Sequence, residues 1–193
     1  MASCLLLCVA LFALTGCSSG SKGASSSTAS TNASAPAGAH MAGPAAEVRV
    51  SAATIANKPK PWVLSSPESA VRSYLDWTSY AYRIATSEVA SPTMGADEGV
   101  RVDSYIQYYV EKNQLIDQTL SSITFGTPSV GSTSTLVPAK EQWSYRYVST
   151  KTAGKTVGGP YKASYDSTYT VVKSKNGEWV VYKVDAKPLG TVK

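Results

Sequence analysis

The stretch Pro138-Ala-Lys-Glu-Gln-Trp-Ser-Tyr-Arg-Tyr-Val148 decides the fold, because the character of its side chains alternates along it. Successive side chains of a β-strand point to opposite faces of the sheet, so this pattern predicts a strand. One face is mainly aromatic and comprises Ala139, Glu141, Trp143, Tyr145 and Tyr147. The other face is polar and basic and comprises Lys140, Gln142, Ser144, Arg146 and Val148. The sequence therefore predicts a sheet with an aromatic face that other elements can cover.

Further strands are predicted on both sides of this one. The stretch 161–171 also alternates and places several tyrosines on one face. Asn176-Gly177 suits a type I′ turn, so 179–185 is predicted to pair back as the last strand. Upstream, 122–130 alternates more weakly, and 115–120 fits either a helical turn or the start of a strand. The whole region predicts a meander of about four antiparallel strands.

Two helices are predicted before the sheet. Ser66-Pro67-Glu68 has an N-cap residue, a proline for the first helical position and an acid for the positive end of the helix dipole. An apolar stripe follows at helical spacing: Val71, Tyr74, Leu75, Thr78, Ala81, Tyr82 and Ala85. A second helix fits 96–112, with Glu98, Arg101 and Lys112 turned outward and Asn113 at its end. This order predicts an α+β fold, with two or three N-terminal helices packed on a curved, roughly four-stranded antiparallel sheet.

The first 17 residues carry an export signal. The uncharged run Cys4–Leu14 is too short to cross a bilayer and matches the apolar region of a secretory signal peptide. Leu14-Thr-Gly-Cys17 then resembles the lipobox of bacterial lipoproteins. That resemblance implies attachment of diacylglycerol, which carries fatty acids such as palmitate, to the Cys17 thiol, cleavage before Cys17, and a lipid anchor on the extracytoplasmic side of the cell membrane. The alternative is an ordinary secretory signal that ends by chance at a cysteine, and Met1-Ala-Ser3 lacks the usual basic residue.

The chain therefore divides into three parts: a signal peptide (1–16), a lipidated Cys17 with a tether (17–61), and a domain (62–193). The tether is rich in Ser, Ala, Thr, Gly and Pro and has too few apolar side chains to fold, so we expect a disordered linker. The only histidine, His40, lies there. The domain has neither His nor Cys. Serine–histidine and cysteine–histidine catalysis and histidine-ligated metals are therefore excluded within one chain, and we expect no cofactor.

Residues 65–187 resemble the nuclear transport factor 2-like (NTF2-like) superfamily of cone-shaped α+β domains. The residues that carry the resemblance are the first helix with Trp77, Tyr80 and Tyr82, the segment Val102–Ile106, and the strand segments Glu141–Tyr145, Tyr165–Val171 and Gly177–Val184. The resemblance implies helices over a curved sheet, with a pocket in the cone and dimerisation through the open sheet. It also implies a short third helix, which only 88–98 could form and which Ser91-Pro92-Thr93 disfavours.

The aromatic residues of the domain define a candidate binding site. They could line a ligand cavity with their polar tips, or they could be packing residues whose hydroxyl groups reach water. The candidates for ligand or partner binding are Tyr82, Tyr105, Tyr109, Glu141, Trp143, Tyr145, Tyr147, Tyr165, Tyr169 and Trp179. We predict no catalytic residue among them and no metal ligand.

Four carboxylates of the domain are candidate catalytic groups: Asp76, Asp103, Glu141 and Asp166. If its strand face lines the cone, Glu141 is a carboxylate among aromatic rings; otherwise it is near a strand end and solvated, as most carboxylates are. Asp76 and Asp166 are expected to face outward, and Asp103 completes the set. A buried carboxylate with tyrosines would suit the isomerase and lyase chemistry that the resemblance implies.

Charge is unevenly distributed along the domain. Residues 139–193 contain 10 basic and 4 acidic residues, whereas 62–138 contain 4 basic and 8 acidic residues. A basic sheet could face an anionic envelope polymer or lipid head groups, or it could be a solvated surface. We expect a non-catalytic binding module at the cell envelope, with the bilayer and an envelope protein or polymer as partners and with no role for nucleic acid. The alternative is a small-molecule binder or a carboxylate–tyrosine isomerase or lyase.

Overall fold

The computed structural model describes residues 57–190. The predicted signal peptide, Cys17 and the tether as far as residue 56 lie outside the described residues. Helix α1 comprises Pro67–Ile84 and helix α2 comprises Ala96–Glu111, with a 3₁₀ helix, Glu88–Thr93, between them. Five strands follow: β1 (Gln114–Phe125), β2 (Ser129–Val130), β3 (Thr135–Ser149), β4 (Thr156–Lys173) and β5 (Trp179–Pro188). The predicted α+β class is confirmed.

The strands form one antiparallel sheet in the order β1-β3-β4-β5, and the short β2 pairs with β3. The register shifts within the β1–β3, β3–β4 and β4–β5 pairs, at Leu120/Ser122, Tyr145/Tyr147 and Thr170/Val171 respectively. Such bulges bend a strand and increase its twist. They account for the curvature of the sheet, whose inner face is the one that the helices cover.

Both predicted helices begin where the sequence indicates. Ser66 caps α1, and its hydroxyl oxygen accepts a hydrogen bond from the Ser69 amide at 3.2 Å. Ser69 returns the bond by accepting from the Ser66 amide at 3.0 Å, which completes a capping box. Asn113 has a φ of 59° and follows Lys112, the C-cap of α2, so its predicted place at the end of the helix is confirmed.

The alternative left open for 115–120 resolves as a strand, because these residues belong to β1, which begins at Gln114. Two other expectations about local structure were wrong. The strand predicted over 122–130 is interrupted, because 126–128 separate β1 from β2. The 3₁₀ helix forms despite Pro92. The proline lacks an N–H group, but the Thr93 hydroxyl donates to the Ala90 carbonyl at 2.7 Å, and the Met94 amide donates to the Ser91 carbonyl at 3.3 Å. These bonds hold a turn that the proline alone would weaken.

The core lies between α1 and the inner face of the sheet. Val71 and Ala81 of α1, Val137 of β3, Val171 of β4 and Val181 of β5 are completely buried there. Burial of this apolar surface is the main favourable contribution to the stability of the fold. Further along β3 and β4 the core gives way to glutamate and tyrosine side chains, and the candidate site lies at that end.

Residues 57–61, which the sequence assigns to the tether, lie against α1. The indole N–H of Trp77 donates to the Lys60 carbonyl at 3.1 Å. The Lys58 ammonium lies 5.7 Å from the centre of the Trp77 ring, and the Trp62 ring contacts the Trp77 ring edge-on at 5.1 Å. Trp77 is therefore the point at which the chain entering the domain is attached to α1.

Candidate functional site

A cleft of about 110 Å³ opens at the end of the sheet beneath α2. We call it the tyrosine cleft. Its lining comes from α2, β1, β3 and β4 and comprises Tyr105, Ile116, Gln118, Trp143, Tyr145, Tyr147 and Tyr165. Five of these residues are among the predicted binding candidates, and alternation along β3 places Trp143, Tyr145 and Tyr147 on one face of the strand. The sequence did not single out Ile116 and Gln118, because 115–120 fitted either a helical turn or a strand and so assigned no face to these side chains.

Tyrosine rings form a continuous network around this cleft. Tyr105 and Tyr109 are one helical turn apart on α2, and their ring centres are 5.0 Å apart. Tyr109 stacks on Tyr147 of β3 at 5.2 Å with an angle of 19° between the rings. Their hydroxyl oxygens are 3.2 Å apart, and those of Tyr105 and Tyr109 are 3.3 Å apart. Tyr82 and Tyr161 extend the network through edge-on and tilted ring contacts. The network joins α2 to β3 through its rings.

Glu141 lies two residues before Trp143 of the cleft, on the same face of β3, and is only 4% exposed. The hydroxyl of Tyr169 donates to Oε1 at 2.5 Å, and the indole N–H of Trp143 donates to Oε2 at 2.7 Å. The reading of Glu141 as a solvated residue near a strand end is therefore wrong. Its strand face lies under the helices, and Tyr169, 28 positions away in sequence, supplies a hydrogen bond that makes burial of the carboxylate tolerable.

A second buried carboxylate, Glu98, was missed. The sequence places it on the outer side of α2, but it is 3% exposed. It accepts a hydrogen bond from the Tyr74 hydroxyl at 2.5 Å and pairs with Arg101 at 2.8 Å. The signal was present, since Glu98 precedes Val102 by four residues and so belongs to the apolar stripe of α2. The side chain is buried because Tyr74 of α1 and Arg101 both satisfy it.

The two carboxylates are connected through their tyrosines. The rings of Tyr74 and Tyr169 meet edge-on, with centres 6.2 Å apart. Burial, and then the negative charge of Glu141, raises the pKa of Tyr169 above its usual range. Burial, with smaller contributions from Tyr82 and Glu98, likewise raises the pKa of Tyr74. Both tyrosines are therefore neutral hydrogen-bond donors to the carboxylates at physiological pH.

The tyrosines of the cleft itself are also neutral. Burial is the largest cause in each case and raises the pKa of Tyr105 and of Tyr145 to about 12. Burial raises the pKa of Tyr165 as well, and the charge of Glu141 adds to the effect. The cleft therefore offers hydroxyl groups and ring faces rather than phenolate nucleophiles.

The remaining candidates lie outside the cleft. Trp179 packs beside the core at the far end of the sheet, where the Lys173 ammonium is 5.3 Å from its ring centre. Asp76 and Asp166 are exposed, as expected, and Asp103 accepts a hydrogen bond from the Ser87 hydroxyl at 2.8 Å. A wider groove of about 540 Å³ lies beside α2 and is lined in part by Tyr82, Glu98, Arg101 and Tyr108.

Residues 57–190 contain neither a metal-ligand cluster nor a helix that could span a membrane. In that range no group of three or more His, Cys, Asp or Glu side chains is placed to hold a metal ion. The helices of the same range lack the combination of length and apolar composition that a bilayer crossing requires.

Comparison with known proteins supports the fold. No protein-family model matches the chain, and no curated protein matches it. The intermembrane-space region of the chloroplast protein ARC6 is similar in structure, with a TM-score of 0.55 and 16% sequence identity over 68% of this chain and 100% of that one. A domain of unknown function with a cystatin-like fold from Nostoc punctiforme PCC 73102 matches with a TM-score of 0.39 and 14% identity over 67% of this chain and 81% of that one. The likeness to the ARC6 region supports an α+β fold alone.

Removing the hydroxyl of Tyr169 should destabilise the domain. In Tyr169→Phe, Oε1 of Glu141 loses its donor while it stays buried, so we expect the free energy of unfolding to fall by about 1–3 kcal/mol. Urea denaturation measures the change. Tyr182→Phe is the matched control, because Tyr182 is 46% exposed and its hydroxyl is 3.4 Å from Asp97, and it should change stability by less than about 0.5 kcal/mol. Equal effects of the two substitutions would contradict the role of the Tyr169–Glu141 bond.

Proposed function

We propose that this chain is a lipid-anchored, extracytoplasmic binding protein whose NTF2-like domain takes its ligand in the tyrosine cleft. The observation that carries the proposal is the cleft itself, in which aromatic side chains from α2, β3 and β4 face an open space. Tyr105 is 40% exposed there, so its ring is accessible to a ligand. Tyrosine is favoured at binding surfaces because it combines a large apolar ring with a polar tip and has few rotatable bonds.

The NTF2-like assignment is supported by the order of the elements. Two helices with a short helical segment between them precede a meander whose bulges curve it around α1. The tyrosine cleft lies between α2 and strands β1, β3 and β4, and the resemblance implies a pocket between the helices and the sheet. Dimerisation through the open face of the sheet is part of the same proposal.

The anchoring part of the proposal is supported by the leader sequence. An apolar run, two small residues and a cysteine at position 17 are followed by a serine-rich tether. Such a tether would hold the domain away from the membrane surface while leaving it free to reorient. The basic outer face of the sheet, with Lys140 and Lys162 on neighbouring strands, would then meet an anionic polymer or a partner protein of the envelope.

The second candidate function is an isomerase or lyase that uses Glu141. Burial of this carboxylate beside the cleft favours it, because catalytic bases often lie in such places. A general base must come within hydrogen-bonding distance of the proton that it removes. Both oxygens of Glu141 already accept hydrogen bonds, from Tyr169 and Trp143. The geometry therefore supports binding better than proton abstraction.

The anchor is tested by metabolic labelling of the full chain with an alkyne analogue of palmitate in a bacterial host. We expect the wild-type chain to carry the label and to sediment with membranes, because the Cys17 thiol accepts the lipid. Cys17→Ala should lose the label, whereas the control Cys8→Ala should keep it, since residue 8 is removed with the signal peptide. Label that persists in Cys17→Ala would contradict the proposed site of attachment.

The binding part is tested by fluorine NMR of the full chain labelled with 3-fluorotyrosine. Host envelope is separated into polar lipid, glycan and protein fractions, and each is titrated into the protein. At least one fraction should shift the signals of Tyr105 and Tyr147, which line the cleft, because a ligand changes the surroundings of their rings. The signal of Tyr182, whose hydroxyl lies 3.4 Å from Asp97 at the start of α2 and outside the cleft, is the control and should stay in place. Unchanged cleft signals with all three fractions would rule out the proposed binding site.

A further inference from the structure

We propose that the tyrosine cleft binds a trimethylammonium group, the cationic group of choline and related compounds. This inference rests on the proposed function, since it specifies the ligand of the same cleft. It goes further by assigning a charge, a size and a chemical class to that ligand.

The walls of the cleft are suited to a cation. Aromatic side chains approach it from α2, β3 and β4, namely Tyr105, Trp143, Tyr145, Tyr147 and Tyr165. The face of an aromatic ring is electronegative and attracts a cation that lies within about 6 Å of its centre. Several rings around one small space act together, as in the aromatic cages that hold quaternary ammonium ligands.

The cleft also lies beside a buried negative charge. Oε2 of Glu141 accepts a hydrogen bond from the indole N–H of Trp143, which lines the cleft. Glu141 also lies opposite Tyr165, another lining residue, in the β3–β4 register. Within residues 57–190, Arg83, Arg101, Arg146 and Lys183 form ion pairs with acidic groups, and Glu141 is the partner of none of them. Burying a carboxylate without a cation is costly, so a cationic ligand would supply the missing charge.

Within residues 57–190, no lysine that lies over an aromatic ring lies over a ring of the cleft. Three lysines in the described part of the chain lie over aromatic rings: Lys58 over Trp77, Lys112 over Tyr108 and Lys173 over Trp179. None of those rings lines the tyrosine cleft. In the described residues, the ring contacts of the cleft are therefore with other tyrosine rings and not with a lysine, so a cationic ligand would not compete with a lysine of the domain.

The hydrogen bonds of Glu141 decide what kind of cation fits. Tyr169 and Trp143 already donate to its two oxygens. A metal ion is held by oxygen ligands in direct contact and a primary ammonium donates hydrogen bonds, so either would compete with Tyr169 and Trp143 for these oxygens. A trimethylammonium group needs no such acceptor, because it has no N–H group and spreads its charge over methyl groups. The cleft volume of about 110 Å³ is far below the 300–1,000 Å³ typical of sites for drug-sized ligands, which suits a group of this size.

The test compares choline with 3,3-dimethylbutanol, its uncharged analogue of the same shape, by titration into the fluorotyrosine-labelled full chain. Cation–π attraction of about 1–2 kcal/mol predicts that choline binds roughly tenfold more tightly than the neutral analogue. Glu141→Gln should reduce or abolish this ratio, because it removes the charge. Tyr147→Leu should weaken choline binding without touching Glu141, which keeps the test decisive if Glu141→Gln fails to fold. Tyr182→Leu is the control and should bind choline as the wild-type chain does.

Two further titrations distinguish a lipid head group from a soluble compound as the source of the trimethylammonium group. Vesicles of phosphatidylcholine present it on a membrane, and vesicles of phosphatidylglycerol are the matched control that lacks it. Shifts of the cleft signals with phosphatidylcholine but not with phosphatidylglycerol support a lipid head group, and shifts with free choline alone support a soluble ligand.

The results also separate this inference from the proposed function. Equal binding of choline and 3,3-dimethylbutanol overturns the cationic ligand but leaves the cleft as a binding site. If choline and the vesicles leave the cleft signals unchanged while an envelope fraction shifts them, the trimethylammonium ligand is wrong and the proposed function stands. If every probe and every fraction leaves them unchanged, both are wrong.

Discussion

The buried carboxylate of Glu141 is the constraint on which the candidate site depends. An unpaired negative charge in an apolar interior would cost several kcal/mol, so its neighbours must be arranged to satisfy it. Tyr169 and Trp143 do so with one hydrogen bond to each oxygen. Tyr169 in turn contacts the ring of Tyr74, whose hydroxyl holds the second buried carboxylate, Glu98. Through these contacts β3, β4, α1 and α2 are fixed relative to one another at the end of the sheet that carries the cleft.

This arrangement explains why the aromatic residues are mostly tyrosines. A phenylalanine at position 169 would fill the same space but would leave Oε1 of Glu141 without its donor, and one at position 74 would leave Arg101 as the donor to Glu98. Beside the cleft, the hydroxyl group of Tyr109 lies 3.3 Å from that of Tyr105 and 3.2 Å from that of Tyr147, and the rings of Tyr109 and Tyr147 stack. The 12 tyrosines against 2 phenylalanines in the sequence thus reflect two needs, the satisfaction of buried acids and an accessible aromatic surface.

The sequence predicted the features that depend on local patterns. The caps and the apolar stripe defined α1, and alternation defined β3 with its aromatic face. It did not predict which carboxylates are buried, because the burial of Glu98 depends on Tyr74, 24 positions away, and that of Glu141 depends on Tyr169, 28 positions away. Such pairings are set by how the helices lie on the sheet, which a single sequence does not encode in its periodicity. The sequence predicted Trp179 as a binding candidate because it is aromatic like the cleft tyrosines, but β5 places it at the other end of the sheet.

The central claim is that Glu141 supplies a negative charge beside an aromatic cleft, and the charge itself can be measured. Carbon-13 NMR of the full chain, labelled at the glutamate carboxyl carbons, reports whether each carboxyl group is ionised. The signal of Glu141 is identified by its loss in Glu141→Gln. At neutral pH our account predicts the chemical shift of an ionised carboxylate for this signal. The shift of a protonated carboxyl group would contradict it, because the cleft would then have no charge to complement a cation.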